Sequence, residues 1–233
     1  MAVRAMTEDK IKEIRTHLRL AMNGVISTSM REKGIVYKLN FGVPYPEVKQ
    51  IAALYEKDAD LAAALWKEDI REFKMLATML QPVETFTMGQ AKQWMAEIPY
   101  LEIAEQCSRN LFSKLSFAGD LTLELINNKK DKFSRTLAFL IWSELFKKGQ
   151  NVMLPVSAEV LVSELMHTVT DEEPGASLME RQAAISAMKF YGRQSEEQSR
   201  RILSGFEQIH VFESRPDLQE IYNELKFEFE YYL

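Results

Sequence analysis

Basic side chains concentrate in the middle of the chain, where they could bind an anion. Between residues 109 and 148 lysines and arginines outnumber acidic residues, although the whole chain has a formal net charge of −5. Arg135 stands at the start of a helical segment, whose backbone N–H groups favour a phosphate. The alternative for Arg135 is a salt bridge between helical repeats. Three lysines precede it and three further basic residues could extend the site: Lys129, Lys130, Lys132, Arg181, Lys189 and Arg193.

Other reactive residue types do not form a recognisable pattern. The three histidines, His17, His167 and His210, lack the spacing of metal ligands, so we expect no metal and no cofactor. Cys107 alone indicates a reducing compartment. The sequence begins without the apolar stretch of a signal peptide, and no apolar run approaches the about 18 residues of a membrane span. These observations predict a cytoplasmic protein that does not contact membranes.

Amphipathic helices must position these side chains. Glycine and proline fall between segments of helical periodicity, and no alternating pattern predicts a strand. An apolar content of 46% is sufficient for one continuous core, so we predict a single domain over residues 1–233. Thr7 and Asp60 are predicted to cap two of the helices. The predicted helices cover residues 7–30, 46–55, 60–66, 73–80, 87–98, 100–115, 120–127, 133–147, 155–169, 176–191, 195–209 and 217–232.

Three segments place an arginine at the start of a helix rich in alanine and leucine. They begin at Ile70-Arg71, Ser134-Arg135 and Glu180-Arg181. Their separations fit one or two helical pairs of about 40 residues, the length of a HEAT repeat. This pattern predicts an all-α, HEAT-like or armadillo-type helical-repeat solenoid, an α-α superhelix with a concave face. The alternative is an irregular helical bundle with coincidental arginines.

Ordered motifs in the first half of the chain resemble a known family. They are Gly-Val-Pro-x-Pro from Gly42, Leu-Ala-x-x-Leu-Trp from Leu61, Arg-Glu-x-x-x-Leu-Ala from Arg71, and Pro-Tyr-Leu-Glu-Ile-Ala-Glu from Pro99. In this order they resemble the DNA alkylation repair family, the AlkD-like HEAT-repeat DNA glycosylases. The resemblance implies a concave basic surface that cradles double-stranded DNA. For active members it also implies hydrolysis of the N-glycosidic bond of cationic alkylated purines.

The resemblance also implies a site and shows where this chain departs from it. Glycosidic cleavage gives the sugar oxocarbenium character, which a carboxylate stabilises, while aromatic faces suit a cationic lesion. Glu105 falls where active members have a catalytic aspartate, and Arg135 matches their phosphate-contacting arginine. Leu101 and Ala187 fall where two tryptophans are expected. Tyr100 stands beside Leu101, whereas Phe190 and Tyr191 could replace the second tryptophan only if the register of the later helix is different. The resemblance thus implies a scaffold that retains the phosphate contact but lacks the aromatic clamp.

Two functions follow from these patterns. The first is a DNA-binding protein centred on Arg135, with weak or absent glycosylase activity through Glu105. The second is a non-enzymatic scaffold that binds a protein partner, which the overall acidity favours. A positive groove would support DNA, whereas exposed apolar side chains would support a protein. Trp66, Trp94 and Trp142 lie on apolar stripes and are predicted to be core residues rather than lesion contacts.

Overall fold

Helices form the regular structure of this protein. The computed structural model describes residues 2–128, 132–150, 154–170, 176–210 and 212–233. Within these ranges there is no strand, and a single parallel bridge pairs Leu39 with Ile70. The all-α prediction is therefore confirmed. The α-helices are α1 (Ala2–Leu20), α2 (Gly24–Glu32), α3 (Tyr45–Ala52), α4 (Ala59–Lys67), α5 (Arg71–Leu80), α6 (Met88–Ala96), α7 (Leu101–Asn110), α8 (Ala118–Asn127), α9 (Ser134–Lys147), α10 (Ala158–Thr170), α11 (Leu178–Gly192), α12 (Glu196–Glu207) and α13 (Pro216–Tyr232).

The chain divides into two compact units, residues 1–115 and 116–233. In the first unit α3, α5 and α7 pack side by side in one layer, and α4 packs on α5 from a second layer that includes α1. In the second unit α9, α11 and α13 form one layer, against which α8, α10 and α12 pack. Each unit is thus a stack of helical pairs. The single domain over residues 1–233 stays a prediction.

Helix starts differ from the sequence prediction where a side chain caps the backbone. The sequence predicts one helix over residues 7–30, whereas the structure ends α1 at Leu20 and begins α2 at Gly24. The cause is Asn23, whose Oδ1 accepts backbone N–H bonds from the next turn at 3.1 and 3.2 Å. Thr7 lies inside α1. Asp58 rather than Asp60 caps α4, because its Oδ1 accepts the Leu61 N–H at 3.0 Å.

The tryptophans and the cysteine are core residues, as predicted. Trp66 and Trp94 are buried and stack with ring centroids 4.2 Å apart. Trp142 is buried in the second unit, where its Nε1 donates to Thr122 Oγ1 at 3.0 Å. Cys107 is fully buried, and this burial raises the pKa of its thiol. Among the described helices none is long and apolar enough to cross a membrane.

Candidate functional site

The three repeated arginines link successive helices of the same layer. Each donates to an acid in the first turn of the following layer helix, where the positive end of the helix dipole favours a carboxylate. The equivalent roles support the interpretation of these segments as repeats. The pairs are Arg71 with Glu102 at 2.5 Å, Arg135 with Glu180 at 2.5 Å, and Arg181 with Asp217 at 2.8 Å.

The Arg135 guanidinium is held by the second unit itself. Besides Glu180, it contacts Glu164 Oε1 at 2.7 Å and donates to Thr168 Oγ1 at 2.8 Å. Its Nη1 also donates to the backbone oxygen of Ile126 at 3.3 Å. This is the salt bridge between repeats that the sequence left as the alternative. Phosphate contact by Arg135 stays a prediction, since a phosphate would have to compete with two carboxylates.

Among the other predicted cations, those that the structure describes contact an aromatic ring or an acidic residue. Lys129 and Lys130 lie outside the described residues, and Lys132 Nζ lies 5.0 Å from the centroid of the Phe133 ring. Lys189 and Arg193 both pair with Glu228, the lysine at 2.6 Å. Acidic partners thus offset Arg181, Lys189 and Arg193, and their contact with DNA stays a prediction.

A different set of cations lines a groove in the first unit. It lies along α3, the C-terminal end of α5 and the end of α7, and its volume is about 320 Å³. Three lysines and two tyrosines line it, the Glu13 carboxylate contacts the Tyr55 hydroxyl, and Arg109 Cζ lies 5.8 Å from the centroid of the Tyr45 ring. The residues of this basic groove are Tyr45, Lys49, Ala52, Ala53, Tyr55, Lys57, Met79, Leu80, Asn110 and Lys114.

The Arg-Glu motif fixes the loop that leads into this groove. Glu72 is fully buried, and its carboxylate accepts the backbone N–H groups of Phe41 and Val43 at 3.1 and 3.2 Å. Arg71 donates to Glu72 and to the Val43 backbone oxygen, each at 2.9 Å. Pro44 follows immediately as the N-cap of α3. The motif therefore positions α3, which carries one wall of the basic groove.

Glu105 is half-buried on α7. Burial raises the pKa of its carboxyl group, the Arg109 charge one turn away lowers it, and the Glu102 charge raises it. Tyr100 stands before α7, and its hydroxyl both donates to the backbone oxygen of Val36 and accepts from its N–H, each at 2.9 Å. The Tyr100 hydroxyl therefore holds the loop that contains Val36.

Comparison with known proteins identifies the family. A family model described as DNA alkylation repair enzyme matches residues 14–174, which is more than half of the chain. The protein belongs to the DNA alkylation repair enzyme family. Its fold is similar to a solved structure described as "A new family of proteins related to the HEAT-like repeat DNA glycosylases with affinity for branched DNA structures". The TM-score is 0.70 at 12% identity, over 84% of this chain and 81% of that chain. No curated protein matches the sequence. The predicted family and HEAT-like fold are confirmed.

In this DNA alkylation repair family protein, the aromatic residues expected near Glu105 do not all belong to the same unit as Glu105. Ala187 is fully buried, and Tyr191 is buried with its ring edge against Phe146 at 5.2 Å. Phe190 carries the Lys147 ammonium 4.4 Å from its ring centroid. These residues belong to the second unit and Glu105 to the first. Neither unit by itself combines Glu105 with Phe190 or Tyr191.

The raised pKa of Glu105 predicts a pH-dependent effect of Glu105→Gln on stability. At pH 7, well above the ordinary pKa of 4.5, the unfolded state carries a charged carboxylate, and half-burial disfavours that charge in the folded state. The variant should therefore raise the free energy of unfolding by up to about 0.5 kcal/mol. Well below the ordinary pKa of 4.5 the carboxyl is protonated in both states, and the gain should vanish. Urea denaturation at pH 7 and at about pH 3 measures both values. A destabilised variant at pH 7 would contradict this expectation.

Proposed function

We propose that this protein binds DNA through the basic groove of the first unit and prefers branched DNA to linear duplex. The observation that carries the proposal is a groove lined by three lysines, in a chain whose net charge is −5. Lysines that neutralise phosphates supply most of the affinity of sequence-independent DNA binding. The structurally similar protein with affinity for branched DNA supports the preference.

We also propose that base excision is weak or absent. Stabilising an oxocarbenium ion requires an ionised carboxylate beside the sugar. The Glu105 side chain is one methylene longer than an aspartate and so displaces the carboxylate, and Leu101 and Ala187 supply no aromatic face for a cationic base. Release of methylated purines from alkylated duplex DNA should therefore be no faster with the wild type than with Glu105→Gln. Excision that depends on Glu105 would overturn this part of the proposal.

Charge reversal in the groove tests DNA binding. The double variant Lys49→Glu/Lys57→Glu should bind a labelled four-way junction at least about tenfold more weakly, because two phosphate contacts become repulsive. The slope of log Kd against log salt should fall by about 2. Fluorescence anisotropy of the junction and of a linear duplex of equal length, at about 50 and 200 mM salt, measures both effects.

The matched control for this experiment is Lys67→Glu. Lys67 is exposed at the end of α4, outside the groove, so reversing its charge should leave the affinity nearly unchanged, whereas Lys49→Glu alone, an equal change of net charge inside the groove, should weaken it. Equal losses in both variants would show only a general effect of net charge. No binding by the wild type at low salt would overturn the proposal.

A protein partner is the second candidate, and one surface of α13 favours it. Phe227 and Tyr231 are one turn apart and 71% and 77% exposed, with acidic residues around them. Large exposed aromatic side chains are typical of protein interfaces. If this candidate is correct, the wild type will bind no DNA, and a partner with a basic, apolar surface will bind the wild type but not Phe227→Ser/Tyr231→Ser.

A further inference from the structure

We infer that the basic groove takes an unpaired nucleotide, so that among branched DNAs the protein prefers those with a single-stranded part. This inference rests on the proposed DNA binding and adds the part of the DNA that enters the groove. It follows from the size of the groove, the two tyrosines in its lining and the placement of its lysines.

The volume of the groove suits one nucleotide and is too small to enclose a duplex. Cavities of about 300 to 1,000 Å³ hold ligands of drug size, and the groove, at about 320 Å³, lies at the lower end. A duplex instead covers an extended surface of about 1,000 Å² or more on its protein. The groove therefore fits one nucleotide that has left the helical stack.

The tyrosines supply the aromatic surface that an unpaired base requires. Tyr45 and Tyr55 both line the groove, and both are partly buried. The Arg109 guanidinium lies over one face of the Tyr45 ring, so a base would stack on the other face. Stacking of bases on aromatic side chains is the main sequence-tolerant contact of proteins that bind single strands. A paired base presents no free face for such stacking.

Polar groups of the groove complement the rest of a nucleotide. Lys49, Lys57 and Lys114 come from three different segments, so positive charge borders the groove on several sides, where the phosphates of a strand would lie. The Asn110 side chain donates from Nδ2 to Thr78 Oγ1 and Gln106 Oε1 at 2.9 and 3.0 Å. These bonds leave Asn110 Oδ1 as an acceptor for the amino group of a base.

The test compares a duplex with a single-stranded flap to a blunt duplex of the same sequence. The wild type should bind the flap DNA about tenfold more tightly than the blunt DNA. The Tyr45→Ala variant should lose that tenfold preference, because its affinity for flap DNA falls about tenfold more than its affinity for blunt DNA. A 2-aminopurine in the flap should be quenched on binding to the wild type but not to Tyr45→Ala. The Tyr45→Phe variant keeps the ring and should behave as the wild type.

The outcomes separate this inference from the proposed function. If the wild type binds flap and blunt DNA equally and Tyr45→Ala changes neither, the nucleotide site is wrong and DNA binding stands. If the wild type binds neither DNA, both are wrong. An equal fold-loss of affinity for both DNAs in Tyr45→Ala, with an unchanged thermal unfolding temperature, would also overturn the inference, since the tyrosine would then serve duplex binding.

Discussion

The Glu72→Gln variant is expected to lose about 3–5 kcal/mol of the free energy of unfolding, the range found when one partner of a buried ion pair is removed. Glu72 is fully buried and accepts three hydrogen bonds, from Phe41 N, Val43 N and Arg71. A glutamine offers one oxygen and turns an NH₂ group toward a donor. It also removes one of the two carboxylates that hold the buried Arg71 charge.

Urea denaturation followed by circular dichroism measures this loss. The matched control is Glu68→Gln, which changes an exposed glutamate at the end of α4 and should alter the free energy by no more than about 0.5 kcal/mol. A loss below about 1 kcal/mol in Glu72→Gln would contradict the expectation. Because Glu72 holds the loop before α3, the folded fraction of the variant should also bind DNA more weakly than the wild type.

The Gly42→Ala variant is expected to lose about 2–5 kcal/mol, through backbone strain and collision together. Gly42 has a φ of +70°, which an alanine adopts only at a cost. A Cβ atom at this position would lie 2.1 Å from the backbone oxygen of Asn23 and 2.8 Å from the backbone nitrogen of Ser27. Neither backbone atom can turn aside as a side chain would, so the loop must move away from α2.

Gly34→Ala separates the two contributions. Gly34 has a φ of +81° and nothing within 4 Å of its added Cβ, so its variant should show only the conformational cost of about 1–2 kcal/mol. Urea denaturation of both variants gives the steric part as the difference. Equal losses at the two positions would show that the contact between Gly42 and Asn23 does not constrain the fold.

Gly42 and Glu72 both belong to the motifs that resemble the family, and the two predictions assign each of them a structural role. Gly42 allows the loop to touch the start of α2, and Glu72 fixes the same loop from α5. The strongest sequence resemblance therefore lies in residues that build the first unit. Such residues can persist while the residues expected to act on DNA change, as at Leu101 and Ala187. The family assignment and the proposed absence of excision are for that reason compatible.

The sequence by itself determined the helices, the buried tryptophans and the repeated arginines. Helical periodicity is a local property, so the apolar residues of α9 and the stripe containing Trp66 could be recognised without knowledge of their neighbours. The ends of the helices were predicted less accurately. The break at Asn23 and the cap at Asp58 depend on which of several polar side chains reaches the backbone.

Only the tertiary structure decided what the charged residues contact. The partner of Arg135 in α11 is 45 residues away in sequence, and nothing local distinguishes a pairing with Glu180 from a free guanidinium. The basic groove combines Lys49, Lys57 and Lys114 from three segments, none of which is unusually basic alone. Helix formation follows from interactions within a few residues, whereas a binding surface depends on how distant segments pack, which local patterns do not encode.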